Sequence, residues 1–452
     1  MELRGKKVLV VGLARTGLAT AAFLKDRGAF VSATEMKGRE EIGRDALREV
    51  EAMGVETEWG SHREGTFLDK DLIVVSPGVD LAIEPIQKAK EKGIPVVSEI
   101  ELACRFIQVP MIAVTGTNGK TTTTLLLGEM LKEDGRKVGI GGNVGEPLIL
   151  FAGEKQILEV LVVEVSSFQL EAIETFRPRV SLLLNITEDH LDRYPNYAAY
   201  IEAKSRIFVN QGPEDQAVLN GNDPVVLKLA GSLRPQKSFF GLKKSKNQTA
   251  YYNPPCIVLS VGGSEEWYSL ERAPLKGVHN VENMMAAVTA ARLVGCSQSA
   301  IRGVIDRFQA PPHRLEFVRE LDGVRYYNDS KGTNVGSVVR SLESFSEPIV
   351  LIAGGKDKEG DLGPLKAPIQ DRVRGLILIG AAKERMAKEL GPLTETTVAK
   401  TLEEAVLLAH QMARKGEIVL LSPACSSYDM FRDYKERGKA FKDAIWALRS
   451  GC

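Results

Sequence analysis

The sequence has no excess of either charge: 59 Lys and Arg balance 59 Asp and Glu over 452 residues. No overall field therefore draws it to nucleic acid or to an anionic membrane, and small molecules are the expected partners. Cysteine is scarce. The five thiols, Cys104, Cys256, Cys296, Cys425 and Cys452, are odd in number, widely spread and form no C-x-x-C pair. That argues against a disulfide framework and for reduced thiols in a cytoplasm. Met1-Glu2-Leu3-Arg4 leads into a strand without the apolar core of a secretory leader, and no apolar run approaches the ~18 residues that span a bilayer. The expectation is a soluble, cytoplasmic monomer with no membrane insertion.

What is present suits a large folded core. Hydrophobic residues reach 44%, and a length prior of roughly 150 residues per domain suggests three domains. Short β-branched runs recur, each followed by a Gly-rich or polar turn and then a helical pattern. They include Lys7 to Val11, Asp71 to Val75, Met111 to Val114, Leu158 to Val165, Val180 to Leu184, Ile349 to Ala353, Leu376 to Ile379 and Glu417 to Leu421. This alternation predicts an α/β fold of mostly parallel sheets, with ligands at the carboxyl ends of the strands. Boundaries fall near residue 99 and at Pro311-Pro312, giving domains 1–98, 99–310 and 311–452, with hinge closure expected at both junctions. The turn-rich stretch Lys243 to Lys276 reads as a hairpin elaboration of the middle domain.

The most informative run is Val114-Thr115-Gly116-Thr117-Asn118-Gly119-Lys120-Thr121-Thr122. A buried strand, a glycine-bearing turn and a helix start point backbone N–H groups and the positive end of a helix at phosphate oxygens. Lys120 can neutralise β- and γ-phosphate charge while the Thr121 hydroxyl reaches a magnesium ion. Chemistry on ATP is the first expectation. The common phosphate loop has glycine where this chain has Val114, so the generic motif is missed and the shorter T-G-T-N-G-K-T-T form stands in its place.

Gly12-Leu13-Ala14-Arg15-Thr16-Gly17 follows a strand and opens a helix, which invites a dinucleotide reading, with Glu35 as a ribose partner. Ala14 occupies the place of the glycine that admits a pyrophosphate, so a dehydrogenase is the rival rather than the leading reading. Glu164 ends one strand and His190 follows another, within Asn185-Ile186-Thr187-Glu188-Asp189-His190. A carboxylate at a strand end suits magnesium, whereas His190, a borderline magnesium ligand, reads by itself as a structural histidine. Lys204, on a helix from Tyr197 to Val209, reads as an exposed lysine. Asn280 and Asn283 share one face of a helix, where capping competes with ATP contact for Asn280. Cys425 reads as a buried thiol rather than a nucleophile.

The T-G-T-N-G-K-T-T loop resembles that of the Mur ligase and folylpolyglutamate synthetase superfamily, and the chain from Gly12 to Phe441 resembles a Mur ligase. The resemblance implies a Rossmann-like N-terminal domain, a central P-loop ATPase-like domain and a C-terminal doubly wound domain. It further implies Gly116, Thr117, Asn118, Gly119, Lys120, Thr121, Thr122, Asn280, Asn283, Arg314 and Asp329 on ATP. Thr121, Glu164, His190 and an N-carboxylated Lys204 would hold two magnesium ions. Arg15, Thr16, Thr34, Lys37, Ser76 and Gly78 would bind the UDP moiety of the precursor, with Asn143 and Ser166 on its remainder. The patterns S-P-A-C-x-S-x-D-x-F and N-D-S-K-x-T-N resemble the D-glutamate-adding branch. There Thr333, Lys358, Ser427 and Tyr434 meet D-glutamate, Tyr434 standing where Phe is commoner, and Lys331 lies at the reacting groups. The implied partners are UDP-N-acetylmuramoyl-L-alanine and D-glutamate. Beside the dehydrogenase, two further rivals stand: a ligase for another amino acid and a nucleotide-gated binding protein.

Overall fold

The structure is a computed structural model, and it describes residues 1–153, 157–246, 248–357 and 360–449. Three sheets follow one another along the chain. The first contains β1 (Lys7–Val11), β2 (Phe30–Glu35), β3 (Glu56–Trp59), β4 (Leu72–Val75) and β5 (Val96–Ser98), all parallel in the order β3-β2-β1-β4-β5.

The second contains β6 (Met111–Thr115), β7 (Val138–Gly142), β8 (Val160–Glu164), β9 (Val180–Leu183), β10 (Gln216–Asn220), β11 (Gln236–Gly241), β12 (Gln248–Asn253), β13 (Cys256–Val261) and β14 (Ser264–Ser269). Its order is β14-β13-β12-β11-β10-β9-β6-β8-β7, parallel except where β12, β13 and β14 pair antiparallel. Those three strands are the elaboration that the turn-rich stretch predicts. The third contains β15 (Glu316–Leu321), β16 (Val324–Asn328), β17 (Ile349–Gly354), β18 (Val373–Ile379), β19 (Glu395–Val398) and β20 (Ile418–Leu421), in the order β15-β16-β20-β17-β18-β19, with only β15 antiparallel.

The central strands are apolar throughout because helices cover both faces: β6, β17 and β20 are buried at every position. Each buried Val, Leu or Ile contributes about 1.5–3 kcal/mol, so these strands fix register before any polar contact does. Strand order then decides where chemistry falls. In the first two sheets the chain leaves an early strand, β1 or β6, and returns on both of its sides, while in the third the last strand, β20, inserts between β16 and β17; each arrangement opens a crevice at the carboxyl ends. The crevices lie at β2-β1-β4, at β8-β6-β9 and at β16-β20-β17. Among the described residues, no helix is long and apolar enough to cross a membrane.

Candidate active site

The turn after β6 is built around two glycines. Gly116 has φ +150° and Gly119 φ +86°, and a Cβ on Gly119 would run into Asn283 Oδ1. Asn185, after β9, pins the turn by accepting the Asn118 amide at 2.8 Å and donating to the Asn118 carbonyl at 3.1 Å. Sequence patterning assigns Asn185 no role, although its place at the end of the strand next to the phosphate loop is the signal that could have found it. Thr117 donates to the Thr187 carbonyl and Thr122 is buried on the first helical turn.

Two ammonium groups meet one oxygen here. Lys120 Nζ donates to the Gly116 and Thr117 carbonyls at 2.8 and 2.9 Å, and Lys204 Nζ donates to the same Gly116 oxygen at 2.8 Å. The expectation of an exposed Lys204 is corrected: the side chain is 2% exposed and lies over the Tyr200 ring. It is buried because its helix packs directly beneath the phosphate loop. Burial, then the charge of Lys120, pushes the Lys204 amine well below the usual lysine range, against the pull of Asp189 and Glu164.

Glu164 closes β8 and is buried; Oε1 accepts from Asn143 Nδ2 at 2.5 Å, while Oε2 has no hydrogen-bond partner among the described residues. An orphaned carboxylate oxygen beside a phosphate loop fits a hard cation such as magnesium, whose remaining positions are commonly taken by water and phosphate. Among the described residues no three His, Cys, Asp or Glu side chains cluster as a metal cage. A site assembled with the nucleotide is the arrangement these donors permit. Thr121 Oγ1 accepts from Arg314 Nη2 at 2.9 Å. His190 adopts φ +57°, sets Nε2 3.7 Å from Asp189 Oδ2 and packs its ring edgewise on Phe168.

A cavity of about 690 Å³ lies between the second and third sheets, lined among others by Asn118, Gly119, Thr122, His190, Asn280, Asn283, Arg314, Asp329 and Lys331. Asn283 donates to Asn280 Oδ1, and Asn280 donates to the Lys276 carbonyl. Asp329 is turned inward: Oδ2 accepts from Ser341 and Ser422, both at 2.7 Å, and burial pushes its carboxyl up to about 6. Across the cavity, Asn334 Nδ2 donates to Asn118 Oδ1 at 3.2 Å and Asp189 Oδ2 at 3.0 Å, and Arg340 pairs with Glu282 at 3.0 Å.

In the third sheet, Lys331 Nζ sits 4.0 Å from the centre of the Tyr434 ring. The Thr333 amide donates to the Lys331 carbonyl, and Ser427 is buried after β20. Lys358 lies outside the described residues. In the first sheet, Arg15 donates to the Gly145 carbonyl at 2.8 Å and pairs with Glu146, reaching the turn that carries Asn143. Ser76 Oγ donates to the Gly12 carbonyl, Gly78 is open around its Cα, and the Thr16 carbonyl accepts from Thr20. Thr34 is fully buried with its hydroxyl donating to the Ser61 carbonyl, so it faces the domain interior. Glu35 accepts from the amides of Leu13 and Lys37. A carboxylate already holds the loop amide that a dinucleotide pyrophosphate would need. Ser166 caps a short helix by accepting the Gln169 amide.

This arrangement, three crevices with a phosphate loop in the middle one, belongs to a recognisable class. The chain matches the Mur ligase MurD-like, N-terminal domain over residues 6–98, the Mur ligase middle domain over 114–291 and the Mur ligase, glutamate ligase domain over 313–425. It belongs to the Mur ligase family. Relatives named UDP-N-acetylmuramoylalanine--D-glutamate ligase are 52% identical in Geotalea daltonii, covering 100% of this chain and 99% of the relative, and 50% identical in Geobacter sp. (strain M21), covering 100% of both. The fold is shared with a MurF of Acinetobacter baumannii, at TM-score 0.63 and 17% identity over 91% of this chain and 90% of the other. It is also shared with a pseudomurein peptide ligase type C of Methanothermus fervidus, at TM-score 0.62 and 19% identity over 98% and 100%.

Proposed function

We propose that this chain joins D-glutamate to UDP-N-acetylmuramoyl-L-alanine at the expense of ATP, through an acyl phosphate, in the cytoplasmic assembly of the peptidoglycan precursor that underlies cell shape and division. The reading rests on the convergence of the phosphate loop, His190 and the third-sheet loops on one cavity, with the unpartnered Glu164 oxygen at the end of β8 next to β6, in a chain half identical along its length to ligases named for that reaction. Residues 1–98 would bind the UDP precursor, 99–310 ATP, and 311–452 the amino acid, in a monomer.

In this mechanism Lys120 leaves the Gly116 and Thr117 carbonyls for the triphosphate, whose oxygens are better acceptors for an ammonium group. The amides of Gly116 to Thr122 stabilise charge on the transferring γ-phosphoryl group as the L-alanine carboxylate attacks it, its bond to the β-phosphate oxygen breaks and ADP leaves. Asn280 and Asn283 hold the adenine side and Arg314 meets phosphate from the third domain, so closure and nucleotide binding are coupled. Glu164, Thr121, His190 and an N-carboxylated Lys204 would hold two magnesium ions, which neutralise phosphate charge when bound. Thr333, Lys358, Ser427 and Tyr434 hold D-glutamate so that its neutral amine attacks the acyl carbon, forming the amide as the C–O bond to phosphate breaks, inorganic phosphate leaves and the amine gives up a proton, with Lys331 beside the reacting groups.

Phosphate release measured with UDP-N-acetylmuramoyl-L-alanine, ATP and one amino acid at a time tests this. Release dependent on D-glutamate, with isolation of the amide product, is expected. Release with another amino acid alone, or nucleotide binding without an amide product, would replace this reading by one of its rivals.

A further inference from the structure

Arg437 stands on the first turn of the helix Tyr434–Ala447, within a stretch dense in lysine, and only 1% of it is exposed. All five of its guanidinium N–H groups are used. Nε donates to Ser330 Oγ at 3.0 Å, Nη1 to the Cys425 and Ser426 carbonyls at 3.2 Å each, and Nη2 to the Ser330 carbonyl at 2.9 Å and the Cys425 carbonyl at 3.2 Å. Every acceptor is neutral. Among the described residues no carboxylate pairs with it; Asp329 and Asp429 act on it only from a distance, and burial lowers it to about 10, which leaves it a cation at neutral pH. A buried charge that meets only neutral dipoles is costly to keep, and an anion arriving nearby recovers part of that cost.

The acceptors belong to the loops that carry the amino-acid residues. Ser330 precedes Lys331 and Thr333, Cys425 and Ser426 precede Ser427, and Ser330 Oγ also donates to the Tyr434 carbonyl at 2.8 Å. Gly355, after β17, presses on the same group, since a Cβ there would stand 3.1 Å from Arg437 Nη1. The carboxyl ends of β16 and β20 are thus fastened to one guanidinium, and the end of β17 lies against it. We propose that Arg437 is the positioning residue of the acidic amino-acid pocket, tying its loops together and setting an uncompensated positive charge beneath them that draws the two carboxylates of the incoming amino acid. This rests on the reading that those loops take D-glutamate.

Steady-state kinetics of the full chain, varying D-glutamate and ATP separately, test it in wild type, Arg437→Gln and Arg437→Lys. R437Q should raise KM for D-glutamate about tenfold or more while KM for ATP stays within about twofold, the size expected of one charge lost at partly buried range. R437K keeps the charge but not the fork of donors, so it should hold KM for D-glutamate within about threefold while kcat falls as the loops loosen. Equal KM for D-glutamate in R437Q and wild type, or equal increases in both variants, would overturn the electrostatic role. If R437Q does not melt cooperatively, Ser330→Ala decides: it cuts the Nε contact and the tie to Tyr434, and an unchanged KM for D-glutamate would overturn the positioning role. Failure of wild type itself to use D-glutamate would instead refute the assigned reaction, which separates the two outcomes.

Discussion

Glu99 offers a test of the fold's electrostatics that is independent of substrate. It opens the helix Glu99–Cys104 between the first and second sheets, is 2% exposed, and accepts the Ile149 amide at 2.7 Å through Oε1, while Oε2 has no hydrogen-bond partner among the described residues. Burial raises its carboxyl from 4.5 to about 7, against the Ile149 and Leu148 amides, which pull it down. At 1.36 kcal/mol per pH unit, holding it ionised in the fold at pH 8 costs roughly 3 kcal/mol. Because the folded value lies above the unfolded one, the favourable contribution is complete below about pH 4.5 and is lost as pH rises through about 7. Glu99→Gln keeps the acceptor for Ile149 and cannot ionise. Denaturant midpoints should therefore coincide near pH 4, and at pH 8 the variant should be the more stable by up to about 3 kcal/mol, or several degrees in a thermal scan. A chain of several domains need not unfold in one step, so the transition compared is the one that includes the junction of the first two sheets. A difference that does not change with pH, or a wild type that gains on the variant as pH rises, would refute the reasoning.

Gly119→Ala places a side chain at φ +86° against Asn283 Oδ1, so KM for ATP should rise at least about tenfold with folding intact; a value within twofold would contradict the cradle described. Arg314→Ala removes the donor to Thr121 Oγ1 and should lower kcat/KM for ATP about tenfold with little change in melting; an unchanged ratio would detach Arg314 from the nucleotide. With 13C-labelled bicarbonate, wild type should show a carbamate carbonyl resonance that Lys204→Gln lacks. Full activity in that variant, independent of bicarbonate, would remove Lys204 from the chemistry.

The loops were legible because their signals are local. Gly116, Gly119 and Lys120 lie within a few residues of a strand buried at every position, Ser422–Pro423 follow another, and Asp329 follows β16, whose residues alternate between buried and half-buried. Long-range placement was not legible. Lys204 resembles any lysine late in an amphipathic helix, and its burial depends on a loop 88 residues earlier whose carbonyl it meets. Glu101 looks like a surface acid at a helix start, yet it is fully buried and accepts the amides of Glu174, Thr175 and Phe176 together with Arg105. Arg437 is one cation among several in its helix, and only the meeting of three strands above it sets it apart. Thr34 is buried with its hydroxyl on the Ser61–His62 turn, a contact spanning 27 and 28 positions of sequence that no local pattern reveals.

The two lysines at the phosphate loop constrain the chemistry further. Lys120 and Lys204 share the Gly116 oxygen, so two full ammonium charges there would repel across a few ångströms in a nearly dry setting. Burial is the larger cause of the depressed Lys204 amine and Lys120 the second, so Lys204 stays disfavoured as a cation even after Lys120 has moved onto a triphosphate. A neutral amine is the form that adds carbon dioxide, and the product is an anion. The neighbour that penalises an ammonium at this position would then stabilise a carbamate by the same Coulomb interaction with reversed sign. The unpartnered Glu164 oxygen lies against the same loop and offers a second acid for a shared cation. Burial, the larger cause, disfavours an ammonium and a carbamate alike, and Asp189 and Glu164 would repel the latter, so only the Lys120 contribution changes sign and a carbamate here would need a bound cation to offset the rest.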